Sequence, residues 1–225
     1  MRRAWWTGLV LLSSTQGLVP MRVFCYGDSL TAGTSPPLTA LFPYAPDLEK
    51  ALNAAGAPCV VRHRGLPGVT AADMLTYADD AQNGLNALLK KGKPALSVIL
   101  AGTNDLGRHD HAEPIVQALC GLHVLAHALG VPTVAVGVPP SGYQAAVPAA
   151  YALAHDVNGK LRAWCEARAE FCVYVDHPVA TYKRGGQHWS TDGLHLSPEG
   201  YRHVGRELAG VVHDRLRRIA AESPK

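Results

Sequence analysis

The chain has 225 residues, 48% of them apolar and 17% charged, with a formal net charge of +3 at pH 7. That length supports one domain, or one domain with a tail, with a full hydrophobic core, and the composition is ordinarily globular. The charge is too small to argue for a nucleic-acid partner. Arg202, Arg206, Arg215, Arg217 and Arg218 are interleaved with Glu207 and Asp214, which reads as a solvated helix face.

The five cysteines are Cys25, Cys59, Cys120, Cys165 and Cys172. Their odd number and the lack of a CxxC pair read as buried free thiols, with no disulfide framework and no zinc site. Residues 1–20 are set apart from the fold. Arg2 and Arg3 ahead of an apolar run to Leu12 look like a weak signal segment, too short for a membrane span. Met21, directly before the first strand, is an alternative start. The first reading implies secretion, the second a cytoplasmic protein, and no stable membrane insertion is expected from either.

The fold therefore begins with Val23–Tyr26, a buried strand that breaks at Gly27-Asp28-Ser29. Thr34-Ser35-Pro36-Pro37 is a loop. Tyr44–Ala57 reads as a helix with Leu48, Leu52 and Ala55 on one face. Cys59–Val61 is a second strand, ending in the Gly- and Pro-rich turn Arg64–Thr70. Ala71–Lys90 reads as helical, interrupted around Asn83-Gly84. Ala95–Ala101 is the most apolar strand and runs into Gly102-Thr103-Asn104-Asp105.

Ile115, Leu119, Leu122, Ala126 and Leu129 mark an amphipathic helix that ends at Gly130. Thr133–Val138 is the fourth strand. Leu153, Val157, Leu161 and Trp164 mark another helix, and Phe171–Val175 the fifth strand. A long loop, 176–196, leads to a last helix with Ser197 as N-cap and Pro198 at its first position. Strands alternate with helices throughout, which predicts a three-layer α/β/α fold with a parallel five-stranded sheet. The expected strand order is the flavodoxin-like 2-1-3-4-5, with ligands bound beyond the carboxyl ends of the strands.

On that order, Ser29, Gly68 and Asn104 follow strands 1, 2 and 3, which are neighbours. The loop after strand 5 carries Asp192-Gly193-Leu194-His195. A serine needs a base to become a nucleophile, histidine suits that task near neutral pH, and an aspartate can orient the imidazole. An ester carbonyl under attack needs donors for its oxyanion. The N–H groups of Ser29 and Gly68 and the Asn104 amide can supply them. Taken singly, Ser29 is as good a helix cap, and Asn104 as good a turn former.

Together these segments resemble the GDSL esterases and lipases, the SGNH hydrolase superfamily. Gly27-Asp28-Ser29-Leu30 looks like the first block of that family, Gly65-Leu66-Pro67-Gly68 the second, Gly102-Thr103-Asn104-Asp105 the third and Asp192-Gly193-Leu194-His195 the last. The resemblance implies nucleophile Ser29, base His195, orienting acid Asp192 and oxyanion donors Ser29, Gly68 and Asn104. Gly65 is the alternative to Gly68 in the second block. Asp28 and Asp105 read as braces of their loops, and no G-x-S-x-G elbow occurs.

The expectation is a cofactor-free serine esterase acting on small or short-acyl esters in an open site. An acyltransferase or thioesterase on the same residues, or a non-catalytic binding module, are the alternatives. Tyr143, Tyr182 and Trp189 are expected to line the pocket, with His188 nearby. His109-Asp110-His111 reads as a solvated loop, and His123, His127, His155, His203 and His213 as ordinary helix residues. No metal is expected, and oligomeric state is left open.

Overall fold

The computed structural model describes residues 20–222. The expectations for residues 1–19 therefore lie outside the described residues. The elements, in order, are β1 (Met21–Asp28), α1 (Ser29–Ala32), α2 (Ala45–Ala54), β2 (Cys59–Leu66), α3 (Ala71–Thr76), α4 (Leu85–Gly92) and β3 (Leu96–Leu100). A 3-10 turn at Asp105–Gly107 follows, then α5 (Ala112–Ala128), β4 (Thr133–Val136), α6 (Gly142–Ala146), α7 (Pro148–Glu166), β5 (Cys172–Val175) and α8 (Pro198–Glu222).

All five strands pair in parallel, in the order β2-β1-β3-β4-β5. Every residue of β3 is buried, as a strand covered on both faces requires. Alternation along β1 divides the core. Val23 and Cys25 pack with Leu48 and Leu52 of α2 and with α8, whereas Tyr26 packs with α3, α4 and α5 on the other face. Val204, Leu208, Val212 and Leu216 form the buried stripe of α8, each contributing about 1.5–3 kcal/mol by leaving water. Ser197 caps that helix by accepting from Gly200 N–H at 3.0 Å.

Three elements depart from their predicted form. β2 runs on through Arg62, His63 and Arg64, whose side chains are exposed. Apolar patterning stops at Val61, but hydrogen bonding to β1 continues to Leu66, because an edge strand can turn charged side chains to solvent. The break expected at Asn83-Gly84 spans residues 77–84, where the Asp80 carboxylate accepts from Gln82 and Asn83 N–H. α6 was not predicted. Ser141 caps this short helix by accepting from Gln144 N–H at 3.3 Å, and flanking prolines conceal it from periodicity.

The register sets up the site. Gly27 pairs with Gly65 on one side and with Leu100 on the other. The carboxyl ends of β1, β2 and β3 are therefore level, and the loops carrying Ser29, Gly68 and Asn104 leave the sheet side by side.

Candidate active site

β1 stops at Asp28, and the chain turns at once into α1. Asp28 is the helix cap, accepting from Leu30 N–H at 2.9 Å. This carboxyl is fully buried, and its Oδ2 has no partner among the described residues. Desolvation pushes its pKa up to about 7, against the Leu30 hydrogen bond and with the help of the nearby Asp105 charge. The cap holds Ser29 at the head of α1 with only 6% of its surface exposed.

The loop before α8 reaches over to this serine. His195 Nε2 lies 2.9 Å from Ser29 Oγ, and His195 Nδ1 lies 2.6 Å from Asp192 Oδ2. An ionised carboxylate only accepts, so Nδ1 carries the proton and Nε2 faces the serine hydroxyl as an acceptor. The other oxygen of Asp192 accepts from the N–H groups of Leu194 and His195, both at 3.0 Å. Burial pushes the Asp192 pKa up, but the bonds from the His195 side chain and the two backbone donors outweigh it and leave the pKa low. The loop itself is pinned at several points: Gly142 N–H donates to Gly193 O at 2.7 Å, Ser190 N–H donates to His195 O at 2.9 Å, and the Ser190 hydroxyl donates to Pro36 O.

Across from His195, the loop after β2 is clamped to the one after β3. Asn104 Nδ2 donates to Val69 O at 3.0 Å. An amide nitrogen has two hydrogens, so one anchors the side chain and the second remains for a ligand. The Asp105 carboxylate accepts from Ala71 N–H at 3.1 and 3.2 Å. Thr70 and Asp73 complete a capping box at the start of α3.

The two glycines of the second block differ in kind. A Cβ on Gly65 would lie 2.0 Å from Ala32 N and 2.6 Å from Asp28 O, so this glycine lets β2 pass against the serine turn. Gly68 has φ +78°, with nothing within 4 Å of where a Cβ would stand. Its left-handed backbone faces open space, and its N–H has no acceptor among the described residues.

The model of the GDSL-like lipase/acylhydrolase family matches residues 25–203, which include all four blocks. The chain belongs to that family. It is, accordingly, a carboxylic ester hydrolase. No curated protein sequence matches, whereas solved structures do. A family 3 carbohydrate esterase of Clostridium thermocellum is 18% identical, with a TM-score of 0.70 over 90% of this chain and all of the other. A carbohydrate acetylesterase family member from Sinorhizobium meliloti is 26% identical, with a TM-score of 0.66 over 88% of this chain and 99% of its own. A carbohydrate esterase family 3 structure from Talaromyces cellulolyticus is 19% identical, with a TM-score of 0.66 over 90% and 100%.

The three aromatics expected at the pocket of this GDSL-family chain have separate fates. Tyr143 is exposed on α6. Tyr182 packs edge-on against Trp189, with centroids 5.1 Å apart, and its hydroxyl stands against Gly142 and Gly193, so it props the His195 loop from behind. Trp189 is 7% exposed and belongs to the core beneath α8. Its indole N–H donates to Thr181 O at 3.1 Å. Most of the Trp189 ring is therefore taken up by packing, and no sequence pattern in a long loop distinguishes that use from lining a pocket. His188 stacks on His203 at 4.5 Å.

The sequence reading missed a groove of about 590 Å3 bordering Gly68, lined by Leu66, Pro67, Val69, Met74, Tyr77 and, at its polar edge, Asp73, Asp80 and Asn83. Tyr77 is 63% exposed. Tyr77 follows directly on α3, so helical periodicity counted it with the helix. Among the described residues, no helix is long and apolar enough to cross a membrane.

Proposed function

We propose that this esterase removes short acyl groups, acetyl above all, from carbohydrate-like alcohols, through an acyl-enzyme on Ser29. One observation carries the catalytic part: Ser29 Oγ, His195 and Asp192 form a continuous hydrogen-bonded line of 2.9 and 2.6 Å. His195 takes the serine proton as Oγ attacks the ester carbonyl, and Asp192 stabilises the imidazolium that results. The oxyanion is met by the N–H groups of Ser29 and Gly68 and by the free hydrogen of the Asn104 amide. The imidazolium then protonates the departing alcohol. Water, activated by the same histidine, releases the acid.

The substrate part rests on the groove beside Gly68. An exposed tyrosine ring offers a flat apolar face to a sugar, and Asp80 and Asn83 at the edge offer hydrogen bonds to hydroxyls. The acetylesterase family member from Sinorhizobium meliloti, at 26% identity, supports the same reading.

A panel of nitrophenyl esters of rising chain length, with acetylated xylo-oligosaccharides beside them, tests the proposal. Acetyl and propionyl esters should turn over fastest, and Tyr77→Ala should raise KM for acetylated sugars while leaving nitrophenyl acetate unaffected. A preference for acyl chains of eight or more carbons, on the order of tenfold, would sink it. A fluorophosphonate probe should label wild type once, on Ser29, and Ser29→Ala not at all.

A further inference from the structure

At the opposite end of the sheet, β4 and β5 begin side by side with Thr133 paired to Cys172. His123 and His127, one turn apart on the same face of α5, lie over this point. Both had been expected to be ordinary helix residues. His123 is instead 1% exposed, and His127 is half-buried. His123 Nδ1 and His127 Nε2 each lie 2.9 Å from Thr133 Oγ1. That hydroxyl is 3.4 Å from Cys172 Sγ. The two ring nitrogens and the sulfur all fall within 4.8 Å of one another.

We propose that His123, His127 and Cys172 form a three-coordinate binding site for one soft, closed-shell, monovalent metal ion, Cu+ by chemical class, unrelated to ester hydrolysis. The donor set is that of a thiophilic metal, two imidazoles and one thiolate. Bonds of about 2.0–2.3 Å need the donors roughly 3.5–4 Å apart, a tightening of up to about 1.3 Å from the present spacing.

Charge selects the ion. Arg168 lies 4.5 Å over the Trp164 ring that stacks on His127, and the buried Arg215 donates to Glu170 O, next to Phe171. A divalent ion with one thiolate would leave a net positive centre beside them, whereas a monovalent ion with one thiolate is neutral. Aromatic rings flank the cluster. Trp164 stacks on His127 at 6.0 Å and lies 5.8 Å from His123, and Phe171 lies 5.6 Å from His127. A hydrophobic shell of this kind controls access to a metal site, and half-buried His127 gives the route in.

Binding changes no oxidation state. Without metal, the two histidine N–H groups donate to Thr133 Oγ1, whose own hydrogen points to Cys172 Sγ. On binding, each imidazole stays neutral and moves its proton to its other nitrogen. The Cys172 S–H bond is replaced by a sulfur–metal bond, and that proton goes to solvent. Without metal the Thr133 hydroxyl stands between the three donors, and binding turns it aside, off both imidazoles. Cys165 Sγ, 2.8 Å from Cys172 Sγ, donates a weak hydrogen bond to the thiolate.

The full chain, kept reduced with a phosphine, tests this. Cu+ is supplied as its complex with a chromophoric chelator, and transfer to the protein is read from the loss of colour. Wild type should take one equivalent, as should Ser29→Ala and Cys165→Ser. His127→Gln, His123→Gln and Cys172→Ser should bind at least about tenfold more weakly. Cu+ should raise the Tm of wild type and leave that of His127→Gln unmoved. Should Cys172→Ser fail to fold, the half-buried His127→Gln decides. Esterase turnover of His127→Gln should match wild type, because the cluster lies at the far end of the sheet. No transfer to wild type, or equal transfer to wild type and His127→Gln, overturns the site. Tight Zn2+ binding at the same three residues with no Cu+ transfer overturns the monovalent assignment.

Discussion

Asp192 shows how much a single side chain can be constrained. One of its oxygens accepts from two backbone N–H groups, and the other faces His195 Nδ1. In Asp192→Asn the backbone donors hold the amide oxygen where they are, so the NH2 must turn toward Nδ1. The imidazole is then driven to the tautomer with its proton on Nε2, where it cannot accept from Ser29. We expect kcat to fall by about 10³–10⁴, with KM little changed. Normal turnover would show that Asp192 does not set the tautomer. Asn104 carries a different load, because its amide holds Val69 O as well as facing the site. Asn104→Ala should lower kcat by about 10²–10³, or about 3–4 kcal/mol. Asn104→Asp should be worse, because a carboxylate puts negative charge where the oxyanion forms. A rise in KM alone on Asn104→Ala would mean that Asn104 binds ground state and transition state alike.

At the level of elements, the loop after β2 separates two demands that one motif combines. Gly65 is needed for packing and Gly68 for backbone direction. Gly65→Ala puts a methyl group into the α1 backbone. Backbone cannot rotate away as a side chain can, so we expect a loss of stability at or above the upper end of about 1–3 kcal/mol, seen as a large fall in Tm. Gly68→Ala meets nothing and incurs only the left-handed strain of about 1–2 kcal/mol. Its Tm should fall modestly while kcat falls more, because the added methyl stands in the open space at the site. Thermal unfolding and kcat measured on both variants check the assignment, and the reverse pattern would exchange the two roles.

For the whole molecule, the buried Asp28 couples stability to pH. Its folded pKa is raised to about 7 from the ordinary carboxylate value of 3.8, chiefly by desolvation. The folded state therefore holds a proton that the unfolded chain releases. The sign follows from linkage: this contribution is fully present below about pH 4 and is lost as pH rises through about 7. Asp28→Asn keeps an acceptor for Leu30 N–H and carries no charge. The Tm of Asp28→Asn relative to wild type should therefore rise between pH 4 and pH 8. A difference that is flat with pH would mean that Asp28 is ionised throughout at no cost. Because Asp28 sits beneath Ser29, nitrophenyl acetate turnover followed across the same range would report any coupling to the site.

The alternation of strand and helix, the four ordered blocks and the capped start of α8 are all local or periodic features, so the sequence alone determines the parallel α/β class, whose usual strand order the sheet follows, and the candidate residues Ser29, Asn104, Asp192 and His195. Only the tertiary structure separates Gly65 from Gly68, because they differ in a backbone angle and in which neighbour stands where a Cβ would be. The same holds for Trp189, whose ring packs on Tyr182 and joins the core beneath α8. It holds as well for His123 and His127, 45 to 49 residues before Cys172 in sequence. Parallel pairing of β4 with β5 closes that distance to within a metal's reach. Periodicity reports which face of an element is apolar; it carries no information about which two faces meet.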